Sequence, residues 1–162
     1  MRILVALLLL ALIFAFPQGV GAAESDKLTI FFYEIGDDGE DVISSYIIAI
    51  PPHLSVEARA MLIFSEIFDN ANSDKMIYAP RDVRILDVFF HREYAHLVLN
   101  LSSEVMNYGG THFEWQFVRK LIANAASIRE VGYLSVLVDG QRRYLPEGTK
   151  IHEIRVYDGL WH

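Results

Sequence analysis

Between Ala95 and Ala125 the apolar residues change period, and this change constrains the fold more than any other feature of the chain. Ala95, Leu97, Leu99 and Leu101 alternate with His96, Val98 and Asn100, the period-two pattern of a half-buried strand. Phe113, Phe117, Val118, Leu121, Ile122 and Ala125 then recur at helical spacing. Thr111 and Glu114 have capping-box spacing, which predicts Thr111 as N-cap and Glu114 at the third helical position. Arg119, Lys120 and Asn124 fall outside the apolar stripe or on its margin, and Trp115 falls at its edge. Ser102, Ser103, Glu104 and the pair Gly109-Gly110 form the corner between strand and helix.

An earlier helix is predicted over Val56–Phe68, with Ser55 as N-cap. Val56, Ala60, Ile63, Phe64, Ile67 and Phe68 make its stripe, while Arg59 and Glu66 lie on the other side. Strands are predicted at Leu28–Glu34, Val42–Ile50, Val83–Arg92, Ala95–Leu101 and Tyr133–Asp139. Lys150–Tyr157 reads as a sixth strand or an extended tail. Gly36–Asp41, Pro51-Pro52, Glu93-Tyr94 and Asp139-Gly140 are the turns between them. The order is β-β-α-β-β-α-β. Two striped helices need one apolar sheet face, so the predicted fold is α+β: a two-layer sandwich, a mixed sheet of five or six strands with two helices on one face.

The first 23 residues read differently. Arg2 precedes an unbroken apolar run from Ile3 to Phe16, then Pro17, Gly19 and the small residues Gly21, Ala22 and Ala23. This is a signal-peptide pattern with cleavage after Ala22 or Ala23, or an uncleaved signal anchor. Residues 24–162 form a single domain, long enough for one core without crosslinks. The 162-residue chain has no cysteine, which excludes disulfides, thiol chemistry, cysteine-ligated metals and a lipid-modified cysteine. Beyond residue 23 the chain carries 13 basic and 21 acidic side chains, a formal charge of −8 against −7 for the whole. An acidic surface is not a nucleic-acid footprint, and the membrane is reached only through the N-terminal segment if it is kept.

The search for chemistry returns little. Ser102 and Ser103 lack the flanking glycines of a nucleophile elbow, and a corner serine is explained by its hydroxyl satisfying backbone N–H groups. Among His53, His91, His96, His112, His152 and His162, only His91 and His96 flank one connection, and zinc there would need Glu93 or Asp87 as well. Asp37, Asp38, Glu40 and Asp41 crowd one turn without calcium-loop spacing. Gly109-Gly110 opens a helix where an anion can sit, but Glu114 already occupies the favourable first turn. No catalytic residue, metal site or cofactor is predicted. Several strands are apolar on both faces, so the second sheet face is covered either by a protein partner or by the C-terminal segment.

LVLNLSSEV, GGTHFEWQFVRKLIANA and LSVLVDG together resemble the core of the GerMN domain of sporulation and spore-germination proteins. The shared features are the Leu101-Ser102 corner, the small-residue link Gly109-Gly110-Thr111 opening a helix, and a valine-rich strand ending in Asp139-Gly140. The resemblance spans about residues 28–141. Asp69-Asn70 stands where many relatives have Gly-Pro, and Pro80-Arg81-Asp82-Val83 where they often have Pro-x-Gly-Thr. It implies a non-enzymatic exported domain, similar to ring-building modules, in the cell envelope or intermembrane space of a spore former. Its implied partners are envelope or sporulation proteins, or further copies of itself.

The exposed side of the second helix is the predicted interaction surface: Trp115, Gln116, Arg119 and Lys120. A wall-associated module binding peptidoglycan or a wall hydrolase is the alternative, using Tyr108, Tyr133 and Tyr144. A secreted hydrolase built on Ser102 or on His91 and His96 comes third.

Overall fold

The computed structural model describes residues 26–71 and 77–156. The predicted leader, residues 1–23, lies outside them, as do residues 72–75 of the polar loop and Tyr157 of the last predicted strand.

β1 (Asp26–Ile35) and β2 (Asp41–Ile50) form an antiparallel hairpin in which Phe31 is opposite Ser45. Gly39, at φ 83°, makes the turn. Pro51 and Pro52 end β2 because neither can donate to a ladder. α1 (Val56–Asp69) begins at Ser55, whose Oγ accepts the Ala58 N–H at 3.2 Å, as its sequence predicts.

β3 (Ile85–His91) and β4 (His96–Leu101) are antiparallel, joined by one 3₁₀ turn at Arg92–Tyr94. β4 then pairs in parallel with β5 (Tyr133–Val138). Parallel neighbours need a crossover, and α2 (Thr111–Ala126) supplies it. β6 (Ile154–Arg155) adds antiparallel to β5, so the sheet order is β3-β4-β5-β6. Asp139 and Gly140 both have positive φ, as the two-residue turn between Val138 and Gln141 requires.

The class, the two helices and the element order are those read from the sequence. The single sheet is not: six strands divide into sheets of two and four. The division has a physical cause at the free edge of β1, which is closed by α2 rather than by another strand. Asn124 Oδ1 accepts the Phe31 N–H at 3.0 Å, and Asn124 Nδ2 donates to Phe31 O at 2.8 Å. One side-chain amide does the work of a ladder rung. Beneath it lies one apolar core. Leu28, Ile30 and Phe32 of the hairpin, Ile63, Phe64 and Ile67 of α1, and Phe117 and Leu121 of α2 meet Leu97, Leu99, Leu134 and Val136 there. Truncating any of the fully buried leucines to alanine costs about 2–5 kcal/mol.

Candidate functional site

The predicted interaction surface splits in two. Trp115 is 54 % exposed, and the Arg119 guanidinium carbon sits 4.4 Å from its ring centroid, a cation–π pair at i,i+4 spacing. Gln116 and Lys120 are buried, at 4 % and 1 % exposure, and do not belong to that surface. The reason is the line they share with Asn124. Residues 116, 120 and 124 are spaced four apart, and the hairpin and the 77–78 segment close over that side of the helix. Gln116 Nε2 donates to Asp41 Oδ2 at 2.9 Å, Lys120 Nζ donates to the Ile77 carbonyl, and Asn124 holds Phe31. A polar seam thus binds α2 to three other segments.

Asp41 is the centre of that seam. Its carboxylate accepts from Tyr78 Oη at 2.7 Å and Gln116 at 2.9 Å, and His112 Nε2 lies 2.8 Å away. Burial pushes the Asp41 pKa up, but the hydrogen bonds from Tyr78, His112 and Gln116 outweigh it and hold it below the usual range. Burial, and then the hydrogen bond to Asp41 and the charge of Asp41, raise Tyr78 to about 12. Burial lowers the Lys120 ammonium to about 7. Asp41 therefore faces the fold rather than the acidic turn of Asp37, Asp38 and Glu40. Among the described residues no group of three or more histidines and carboxylates is placed to hold a metal.

At the opening of α2 the expected capping box is absent. Gly110 is the N-cap, at φ 100°, a conformation costly for β-branched threonine, and Thr111 is the first helical residue. Glu114 does not fold back on the cap. Its carboxylate accepts from Tyr108 Oη at 3.0 Å, Glu147 N–H at 2.8 Å and Thr149 N–H at 3.0 Å. Glu147 in turn accepts the Gly110 N–H at 2.8 Å. Glu114 is 1 % exposed. Burial raises its pKa, and the bonds from Thr149, Glu147 and Tyr108 more than reverse this.

The serine corner is structural. Ser102 is 1 % exposed, its Oγ accepts the Arg84 N–H at 3.0 Å, and its own N–H reaches Arg84 O at 2.9 Å. The Ser102 hydroxyl also lowers the pKa of Glu104. Ser102 therefore ties the entry of β3 to the exit of β4. Asn100 Oδ1 accepts the Gly140 N–H at 2.8 Å, which places the Asp139-Gly140 turn beside the same corner. Gly109 lies in the link between the one-turn 3₁₀ helix Ser103–Met106 and α2.

His91 and His96 stand with ring centroids 6.3 Å apart, and His96 Nε2 lies 2.8 Å from Ser135 Oγ. The three tyrosines of the predicted wall-binding groove do not converge. Tyr133 starts β5 beside His96, Tyr108 stacks on Phe113 at 4.7 Å near the other end of the sheet, and Tyr144 packs against His152. Six-residue strands separate the first two by roughly 16 Å at 3.3 Å per residue. Nor do the described residues of the C-terminal segment, up to Val156, cover the second sheet face. They extend the β5 edge, where Ile151 O accepts the Val136 N–H and β6 pairs, and Phe89 remains 50 % exposed.

A hairpin, an amphipathic helix, and a β-β-α-β unit whose parallel pair is bridged by the second helix define a GerMN-like fold. The first GerMN domain of the sporulation protein GerM from Bacillus subtilis superposes with a TM-score of 0.58 at 15 % identity, over 82 % of this chain and 99 % of that one. The tandem GerMN domains of the same protein match with a TM-score of 0.59 at 15 % identity, over 81 % of this chain and 46 % of theirs. This chain thus corresponds to about half of the tandem. No protein-family model and no curated protein matches it in sequence.

Proposed function

We propose that the protein is an exported, non-enzymatic GerMN-type domain that acts in sporulation or spore germination by docking on other envelope proteins. The observation that carries this reading is the match to a single GerMN domain over nearly its whole length. The surface chemistry agrees with it. Trp115 and Arg119 form an ordered aromatic–guanidinium pair at the exposed margin of a helix that is otherwise pinned from within. Tryptophan and arginine are the residues that concentrate binding energy at protein interfaces. The buried Ser102 corner supports a contact role rather than a nucleophilic one.

The test is a strain lacking the gene, complemented with Trp115→Ala/Arg119→Glu. Heat-resistant spore counts are expected to fall about tenfold or more with no loss of domain stability, since paired hot-spot residues cost 2 kcal/mol or more. Wild-type counts in that strain would rule the surface out, and wild-type counts in the deletion itself would rule out the sporulation role.

A further inference from the structure

The hairpin has two outer edges, and the described residues close only one of them. Asn124 satisfies both backbone groups of Phe31, so Phe31 N–H and C=O point away from β2. Ser45 is directly opposite Phe31. In an antiparallel ladder, opposite residues are either both bonded to each other or both turned outward. Ser45 therefore turns its N–H and C=O away from β1, and by period two so do Ile43, Ile47 and Ala49. Among the described residues no hydrogen bond reaches these groups from outside the hairpin.

The devices that normally blunt an edge strand are missing from β2. It is ten residues long, in unbroken register with β1, with no bulge, no proline and no charge from Val42 to Ile50. Ile43 is 36 % exposed and Ile47 63 % exposed on one face. Below the strand, Tyr46 Oη donates to Glu66 of α1, and Leu62, one turn earlier, is 41 % exposed. Tyr46 and Leu62 thus lie on the α1 side of the hairpin, on the face opposite Ile43 and Ile47. A chain with an excess of acidic over basic side chains repels its own copies broadly. β2 is a stretch where that repulsion is locally absent.

We infer that β2 is a self-pairing edge: two copies of this chain join antiparallel through β2 about a two-fold axis at Ser45, making one continuous four-stranded sheet. The register follows from the outward groups. Ser45 faces Ser45 of the second copy, and Ile43 faces Ile47, so these pairs have their N–H and C=O directed across the join. The same register stacks Ile43 and Ile47 twice on one face and sets Asp41 against Ala49 rather than against another acid. Pro51 ends the ladder on each side. This inference does not rest on docking through Trp115 and Arg119.

The absence of cysteine makes the test clean. In the full chain Ser45→Cys is the sole thiol, and facing bonded residues lie about 5.5 Å apart at Cα, within disulfide reach. Oxidation of the full-length protein, purified in mild detergent, should give a disulfide dimer at least about fivefold above a Glu93→Cys control at the β3–β4 turn. Ile43→Cys alone should not link, because its copies are four residues out of register, but mixed with Ile47→Cys it should. Adding Ile47→Lys to Ser45→Cys should abolish the link while the circular dichroism spectrum is unchanged, since Ile47 is exposed. Ser45→Cys at the control level, Ile43→Cys linking to itself as strongly as Ser45→Cys, or a band indifferent to Ile47→Lys would each overturn the inference. So would a disulfide to a different protein in place of the homodimer when the variant is oxidised in cells. A wild-type spore count for the Trp115/Arg119 variant leaves the crosslink result standing.

Discussion

Glu114 shows how one side chain can change role between sequence and structure. Its spacing from Thr111 is that of a capping partner, yet its carboxylate takes three donors from Tyr108, Glu147 and Thr149. Glu114→Gln keeps the volume, weakens the charge-assisted bonds and presents an N–H where an acceptor is needed. A loss of about 1–3 kcal/mol is expected in urea unfolding at pH 7. The pH dependence has a definite sign. The folded pKa lies below the ordinary value, so the carboxylate's contribution is full above about 4.3 and is lost as pH falls through the folded pKa. The variant should therefore show a flatter acid limb, read as midpoint against pH between 5 and 2.

Lys120 gives the opposite limb. Burial lowers its pKa to about 7, while an unfolded lysine titrates near 10.4. Between those values the unfolded chain binds more protons, so stability from this group rises with pH. The rise is bounded by about 5 kcal/mol at 1.36 kcal/mol per pKa unit. Lys120→Met removes it. The stability of wild type minus variant should increase from pH 7 to pH 10, and a constant difference would show that Lys120 is not buried as an amine.

At the scale of elements, the decisive contact is between α2 and the edge of β1. Asn124→Ala removes both side-chain bonds to the half-buried Phe31 backbone, at an expected cost of about 1–3 kcal/mol. Hydrogen exchange at the Phe31 amide should accelerate more than at Ile30, whose position in the hairpin alternates with it. Asn124→Asp, which retains an acceptor and loses the donor, should fall between. The elements themselves were legible. The Ser55 cap, the two apolar stripes, the Leu97-Leu99-Leu101 face and the Asp139-Gly140 turn all follow from neighbours within a few residues. The seam was only half legible. Gln116, Lys120 and Asn124 lie four apart in the sequence, which marks a polar line on a helix, but such a line reads equally as a solvated face. Its burial depends on Asp41, Ile77 and Phe31, which lie 75, 43 and 93 residues away.

For the whole molecule, two surfaces carry the functional expectations. The Trp115–Arg119 pair is offered to a partner, and its double substitution should impair spore formation without shifting the unfolding midpoint. The open β2 edge is offered to a second copy, and the single-thiol crosslink reads it directly. The acidic balance of the chain sharpens both, because contact between like-charged bodies is confined to uncharged or basic patches. Salt should strengthen association at β2 by screening the general repulsion, whereas an ion-pair-driven interface would weaken.

By itself the sequence determined the class of the fold, the order of its elements, and the absence of thiol chemistry, because periodicity and composition act locally. Only the tertiary structure decided that the strands part into two sheets, that Gln116 and Lys120 turn inward while Trp115 stays out, and that Glu114 clamps the 147–149 turn. The inward turns are settled by which distant polar groups would otherwise be left unpaired, and pairing across such separations leaves no periodic mark in the chain.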